Sequence, residues 1–169
     1  MPTGQMAGVK DLAFGDVKQE LANSRRMLER VPTDKLTWRP HEKSYTLGGL
    51  AQHIATLPRM FERVASTDEI DLAKWQSPPA AASTDEILKL CDETTAAALA
   101  ALAQLDIDRL GGTWTLRMGD RVIFSQPRAA VLRTFAISHI VHHRAQLSVY
   151  LRLLDVPVPG LYGPSADER

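Results

Sequence analysis

The sequence predicts an all-α protein: a four-helix bundle with a short hairpin or extended excursion before the last helix. Three observations carry that prediction. Four stretches place apolar residues at the three-and-four spacing of an amphipathic helix. Two of them open on good caps, Thr46 and the Ser83–Glu86 capping box. One segment, Thr113–Phe124 (TWTLRMGDRVIF), alternates instead and carries Gly-Asp at its centre, the pattern of a hairpin.

Taken in order, Val9–Val31 reads as the first helix. Leu12, Val17, Leu21, Leu28 and Val31 recur at helical spacing, with Lys18, Glu20, Arg25, Arg26 and Glu29 between them, and Pro32 stops it. Thr33–Tyr45 is polar, carries Trp38 and Pro40, and reads as a loop. From Thr46 a second helix runs to about Ala65. Gly48 and Gly49 cost propensity in its first turn but permit a close backbone approach, and Pro58 predicts a kink. Ser66–Ala82 is a connector rich in Pro, Ser and Asp, with Trp75 as its anchor. The third helix extends from Ser83 to about Leu105, with Ile87, Cys91, Ala98 and Leu102 among its inward residues. After the hairpin, Pro127 lies in the first turn of the last helix, which continues to Leu154. The tail that follows, VPVPGLYGPSADER, is rich in Pro and Gly and reads as non-helical. The long connector and the hairpin argue for one or two crossover connections in place of simple up-down wiring. The 169 residues suit one domain, residues 1–169.

Composition narrows the function. Apolar residues make up 44% and charged residues 24%, with a formal net charge of zero and no basic stripe, so nucleic acid is not an expected partner. No apolar run approaches the ~20 residues that span a bilayer, so no membrane is expected either. The start lacks a charged-then-apolar signal pattern, and the single cysteine, Cys91, allows no disulfide within the chain. The expected location is the cytoplasm.

The chemistry is concentrated in histidines. At about 100° per residue, Leu132, Phe135, Ala136, His139, His143, Leu147, Tyr150, Leu153 and Leu154 fall on one stripe of the last helix. His139 and His143 therefore sit one turn apart on the face that should be buried, the spacing at which two imidazoles grip one ion. His142 lies on the flank and is the weaker ligand. In the second helix His53 shares a side with Leu50, Leu57, Met60, Phe61 and Val64. A lone imidazole on an apolar face is more often a core residue bonded to a carbonyl. Three of them on inward faces favour a metal site instead, because an unsatisfied buried imidazole costs about 1–3 kcal/mol. All-nitrogen ligation suits zinc, nickel, copper or iron, and three protein ligands leave a position open for water or substrate. HIVHH has Ile140 where the zinc-protease motif needs Glu, which disfavours a protease. Gln146 lies on the histidine face, able to bond a ligand or to steady a neighbour. Arg144 points away from it, toward a helix or subunit contact. Ile137 and Val141 on that far side suggest a second cover, another helix or another subunit. Cys91 reads as a small core residue.

On LGGLAQHIATL around His53, ISHIVHHRAQLSVYLRLL around His139 and His143, and the trailing VPVPGLYGPSADE, the chain resembles the DinB-like, YfiT-like family of metal-binding four-helix bundles. The HxxxHRxQ segment is the most specific piece. The resemblance implies an up-up-down-down bundle, a three-histidine site formed by His53, His139 and His143 for nickel, zinc or iron, and homodimers. It implies activities such as thiol S-transfer with low-molecular-weight thiols, maleylpyruvate isomerisation or hydrolysis, without selecting a substrate. Three readings follow. The first is a metal-dependent enzyme of thiol S-transferase or hydrolase type, acting on a small molecule. The second is a non-enzymatic metal-binding or stress-related protein whose ion ties helix two to helix four. The third is a metal-free bundle.

Overall fold

The computed structural model describes residue 8 and residues 11–168. Helices α1 (Val17–Leu28), α2 (Leu47–Thr56), α3 (Arg59–Ser66), α4 (Thr84–Ala103), α5 (Arg128–Val131) and α6 (His139–Leu153) build the bundle. Strands β1 (Glu69–Asp71), β2 (Thr113–Met118) and β3 (Arg121–Pro127) form a mixed sheet in the order β1-β2-β3, with β1 parallel and β3 antiparallel to β2.

That sheet corrects the all-α prediction. The hairpin exists, its turn made by Gly119 at φ 58°, where a side chain would be strained. It does not stand alone. Glu69–Asp71, read as connector, pairs with Thr115–Arg117 and places buried Ile70 opposite Leu116. Three residues are too few to announce a strand by alternation; the pairing partner supplies the order. Residues Ser125–Pro127 also belong to β3, so the last helix begins one residue after Pro127.

The bundle's second helix is two helices. Thr46 caps α2 by accepting the Gly49 N–H at 3.0 Å, and Pro58 separates α2 from α3 as its missing N–H requires. Gly48 donates its N–H to the Leu36 carbonyl at 2.9 Å, and an added Cβ would lie 3.0 Å from Leu36 Cβ, so the loop seats directly on the helix start. The first helix is interrupted too: residues 11–14 are helical, Gly15 and Asp16 turn, and α1 follows; Val9 and Lys10 lie outside the described residues. Ser83 caps α4 through the Glu86 N–H, but the Glu86 carboxylate reaches back to the N–H of Ala82 and not to that of Ser83.

Between α5 and α6 the chain stays helical but widens into a π-helix over Leu132–Ser138. Ser138 Oγ donates to the Arg133 carbonyl five residues back, matching the wider turn. The widening keeps Leu132, Ala136 and Ile140 on one buried face and turns α6 relative to a uniform 100° wheel. Leu153, predicted inward, is 58% exposed, while Leu151 is fully buried.

Helices α1 and α2 each pack on both α4 and α6, and α3 packs on α4 and the π segment. The apolar interior divides into two clusters. One holds Leu21, Phe61, Trp114, Leu132 and Ile140 near the sheet; the other holds Met27, Leu50, Ile87, Leu147 and Leu151. Between them in chain position lie Asn23 and Ser24 on α1, Thr94 on α4, and His143 and Arg144 on α6. A polar belt thus crosses the bundle where one core gives way to the other.

Candidate metal centre

The helix frame brings His53, His139 and His143 together. One ligand nitrogen from each lies within 4.8 Å of the others. Ring centroids are 5.2 Å apart for His53–His139, 4.6 Å for His53–His143 and 4.7 Å for His139–His143. A tetrahedral ion with bonds of ~2.0–2.1 Å wants its nitrogens roughly 3.3 Å apart, within reach of small ring rotations. His142 is exposed and beside the trio, its ring centroid 4.9 Å from that of His143.

Three features of these rings fit a cation. First, they are held neutral. Burial, followed by the nearness of His143 and His139, brings His53 down to about 4, and burial is also the main cause of the lowered values of His139 and His143. A neutral imidazole keeps the lone pair that ligation needs. Second, Gln146 Oε1 lies 2.7 Å from His143 Nδ1. An amide oxygen only accepts, so Nδ1 carries the proton and Nε2 is left bare. Third, His139 Nδ1 is buried without a formed hydrogen bond, although the Phe135 carbonyl near it favours a proton there. The three together could hold a metal ion.

Aromatic rings surround the trio. Tyr45 stacks on His53 at 5.7 Å and meets His143 edge-on at 6.2 Å, and Phe135 lies 5.5 Å from His139. Tyr45 was read only as loop. The signal for it was present: it directly precedes the Thr46 cap, where an apolar residue commonly folds back onto the first turns of its helix.

His53 and His139 open into a cavity of about 500 Å³. Its far wall is Ile70 and Leu72 from the connector, Leu116 from β2, and Trp75. The sheet thus gives the cavity Ile70 from β1, which the sequence reads as connector, and Leu116 from the predicted hairpin. Arg128, 2% exposed, fastens it: its guanidinium donates to the carbonyls of Val64 and Thr67 and to Asp68 Oδ1 at 2.6 Å, joining the end of α3 to the approach to β1. Arg128, with Arg109, keeps the Asp68 carboxyl below the usual range. Gln52 holds the connector over the cavity by donating to the Pro79 carbonyl at 2.7 Å and accepting from the Ala81 N–H at 2.8 Å.

The remaining expectations divide. Arg144 does turn from the histidines, and it makes a helix contact inside the chain. It is buried and donates to Glu20 Oε2 at 2.5 Å, to the Glu20 carbonyl at 2.8 Å, to Ser24 Oγ at 3.2 Å and to the Tyr162 hydroxyl. Ile137, one of two residues suggesting a second subunit, is covered by this chain's own core. Cys91 is buried, and burial pushes its thiol up, away from nucleophilic use. Trp114 is fully buried, whereas Trp75 is 37% exposed with the Arg63 guanidinium 4.7 Å from its ring centroid.

The sequence model of the DinB family matches residues 11–169. The uncharacterized protein YrdA of Bacillus subtilis is 27% identical over 145 residues, covering 86% of this chain and 83% of its own. Among solved structures, the DinB-like protein YjoA of B. subtilis superimposes with a TM-score of 0.69 at 19% identity, covering 89% of this chain and 96% of the other. A DinB-like protein of Bacillus cereus gives 0.69 at 23% identity, with 89% and 95% covered. At these identities the two structures speak for the fold alone.

Proposed function

The chain belongs to the DinB family, and from that premise we propose that it is a metal-dependent enzyme in which His53, His139 and His143 hold one divalent cation. The observation that carries the reading is the convergence of three neutral imidazoles, His143 buried and His53 and His139 half-buried at the end of an open cavity. Nickel and zinc are the ions that suit such a donor set best, with iron as a third. When bound, the ion supplies Lewis acidity and lowers the pKa of a coordinated water or thiol.

The chain's own residues do the rest. Gln146 fixes the His143 tautomer. Tyr45 and Phe135 bracket the rings and limit their rotation. The cavity wall orients a small molecule against the open side, which supports a thiol S-transferase or hydrolase type of reaction. No helix among the described residues is long and apolar enough to cross a membrane, and we place the work in the cytoplasm. A homodimer rests on family habit, since Ile137 is covered within one chain; light scattering decides between 18.7 kDa and twice that mass.

The test is metal content and turnover of tag-free protein. Bound nickel or zinc, with turnover on a panel of thiols and electrophiles that a chelator abolishes, supports the reading. A large gain in Tm on metal loading without turnover assigns the ion a structural role. No metal and no uptake on titration removes both.

A further inference from the structure

The cavity beside the histidines has a polarity that the metal reading does not by itself require. Its wall is Leu57, Met60, Ile70, Leu72, Trp75 and Leu116. Among the described residues that line it, none is Lys, Arg, Asp or Glu. The polar groups of that lining are largely spent. Gln52 uses both ends of its amide on the connector backbone. Thr56 Oγ1 donates to its own helix, to the His53 carbonyl at 2.8 Å. Asp71, next to Ile70 in the chain, gives its carboxylate to the N–H groups of Gly119 and Ala73. What stays available is the imidazole end, where His53 and His139 reach the cavity, and the uncharged hydroxyls of Tyr45 and Ser77.

From this uncharged and largely apolar lining we infer that the cavity takes an uncharged molecule with an apolar body, an aromatic ring or a short branched chain, and one polar group directed at the histidines. The inference rests on the metal reading for the polar end and on the wall alone for the body. A volume of about 500 Å³ lies within the ~300–1,000 Å³ range of small-molecule sites. A carboxylate or sulfonate on the body would leave water with no Lys or Arg in the lining to meet it, which costs more than apolar contact returns. A thiol bearing carboxylates therefore does not lodge its body here; an uncharged ester, amide or alkylating electrophile does.

Two fluorescent probes that share their rings test this: neutral N-phenyl-1-naphthylamine and its sulfonated counterpart, 8-anilinonaphthalene-1-sulfonate. Each is titrated into the full-length chain, with and without one equivalent of zinc. The neutral probe should bind at one saturable site per chain, at least about tenfold tighter than the sulfonate. Leu72→Lys places a cation in the half-exposed part of the wall and should reverse that order. Trp75→Ala should weaken the neutral probe several-fold without disturbing the fold, checked by circular dichroism. Equal binding of the two probes, or neutral-probe binding unmoved by both variants, overturns the proposal. The two readings fail separately. A chain that takes up no zinc but keeps the tenfold preference loses the metal and retains the cavity's selectivity. A chain that takes up zinc and shows no preference does the reverse.

Discussion

His143 and Arg144 are neighbours in the chain and face different walls of the same bundle. Arg144 closes its surroundings: its guanidinium meets Glu20, Ser24 and Tyr162 between α1 and α6, and Glu20 also accepts from the Tyr162 hydroxyl at 2.7 Å. His143 belongs to a cluster left open. Three imidazoles crowd together with one Gln partner among them and no anion to balance a charge, and all three are pushed toward the neutral form. Both groups are polar and at least half-buried, yet Arg144 spends its donors within the chain while the three imidazoles converge on one another and could hold an ion. A site is marked less by how polar it is than by what its polar atoms still need.

The contrast can be broken or sharpened by four measurements. Arg144→Ala should give the largest change. It strands the Glu20 carboxylate, whose side chain is 12% exposed, and should cost about 3–5 kcal/mol in urea unfolding. A loss under about 1 kcal/mol would mean that the pair is as dispensable as a surface ion pair. His53→Ala should do the opposite: little change in metal-free stability, but a fall in zinc or nickel affinity beyond the roughly 100-fold expected when only a ligand's support is removed. His142→Ala should leave affinity nearly unchanged, and equal losses from the two variants would show that the trio is misassigned. Gln146→Leu should weaken binding by about 10–100-fold, with Gln146→Glu restoring most of it, read by calorimetry.

The fourth and smallest effect is acidic. His53 sits near 4 when folded and at its ordinary 6.5 when unfolded, so the unfolded chain takes the proton first as pH falls. The His53 contribution to the stability of the metal-free protein should be full above pH 6.5, decline between 6.5 and about 4, and be spent below. Partial exposure limits the loss to on the order of 1–2 kcal/mol. His53→Gln should flatten that decline; a profile identical to wild type would locate the acid sensitivity elsewhere.

The histidines were legible because helical periodicity is local. His53, His139 and His143 could be phased against their own apolar neighbours without knowledge of the fold, and the caps at Thr46 and Ser83 fixed where two helices begin. What escaped was non-local. Glu69–Asp71 becomes a strand only because β2 lies beside it, so the place of Ile70 in the cavity wall left no pattern in the sequence. The π-helix over Leu132–Ser138 also escaped, since a uniform wheel cannot register a widened turn. It shifted the inward face of α6 enough to misplace Leu153. His139 and His143 keep their one-turn spacing because both lie within the regular α6, after the widened turn.

The most direct test of the central claim is X-ray absorption at the metal edge of tag-free protein loaded with one equivalent of zinc or nickel. Three imidazole scatterers, with the rest of the shell supplied by oxygen or by an added thiol's sulfur, is the predicted result. A shell with fewer than three imidazoles, or one that His53→Ala leaves unchanged, would contradict it.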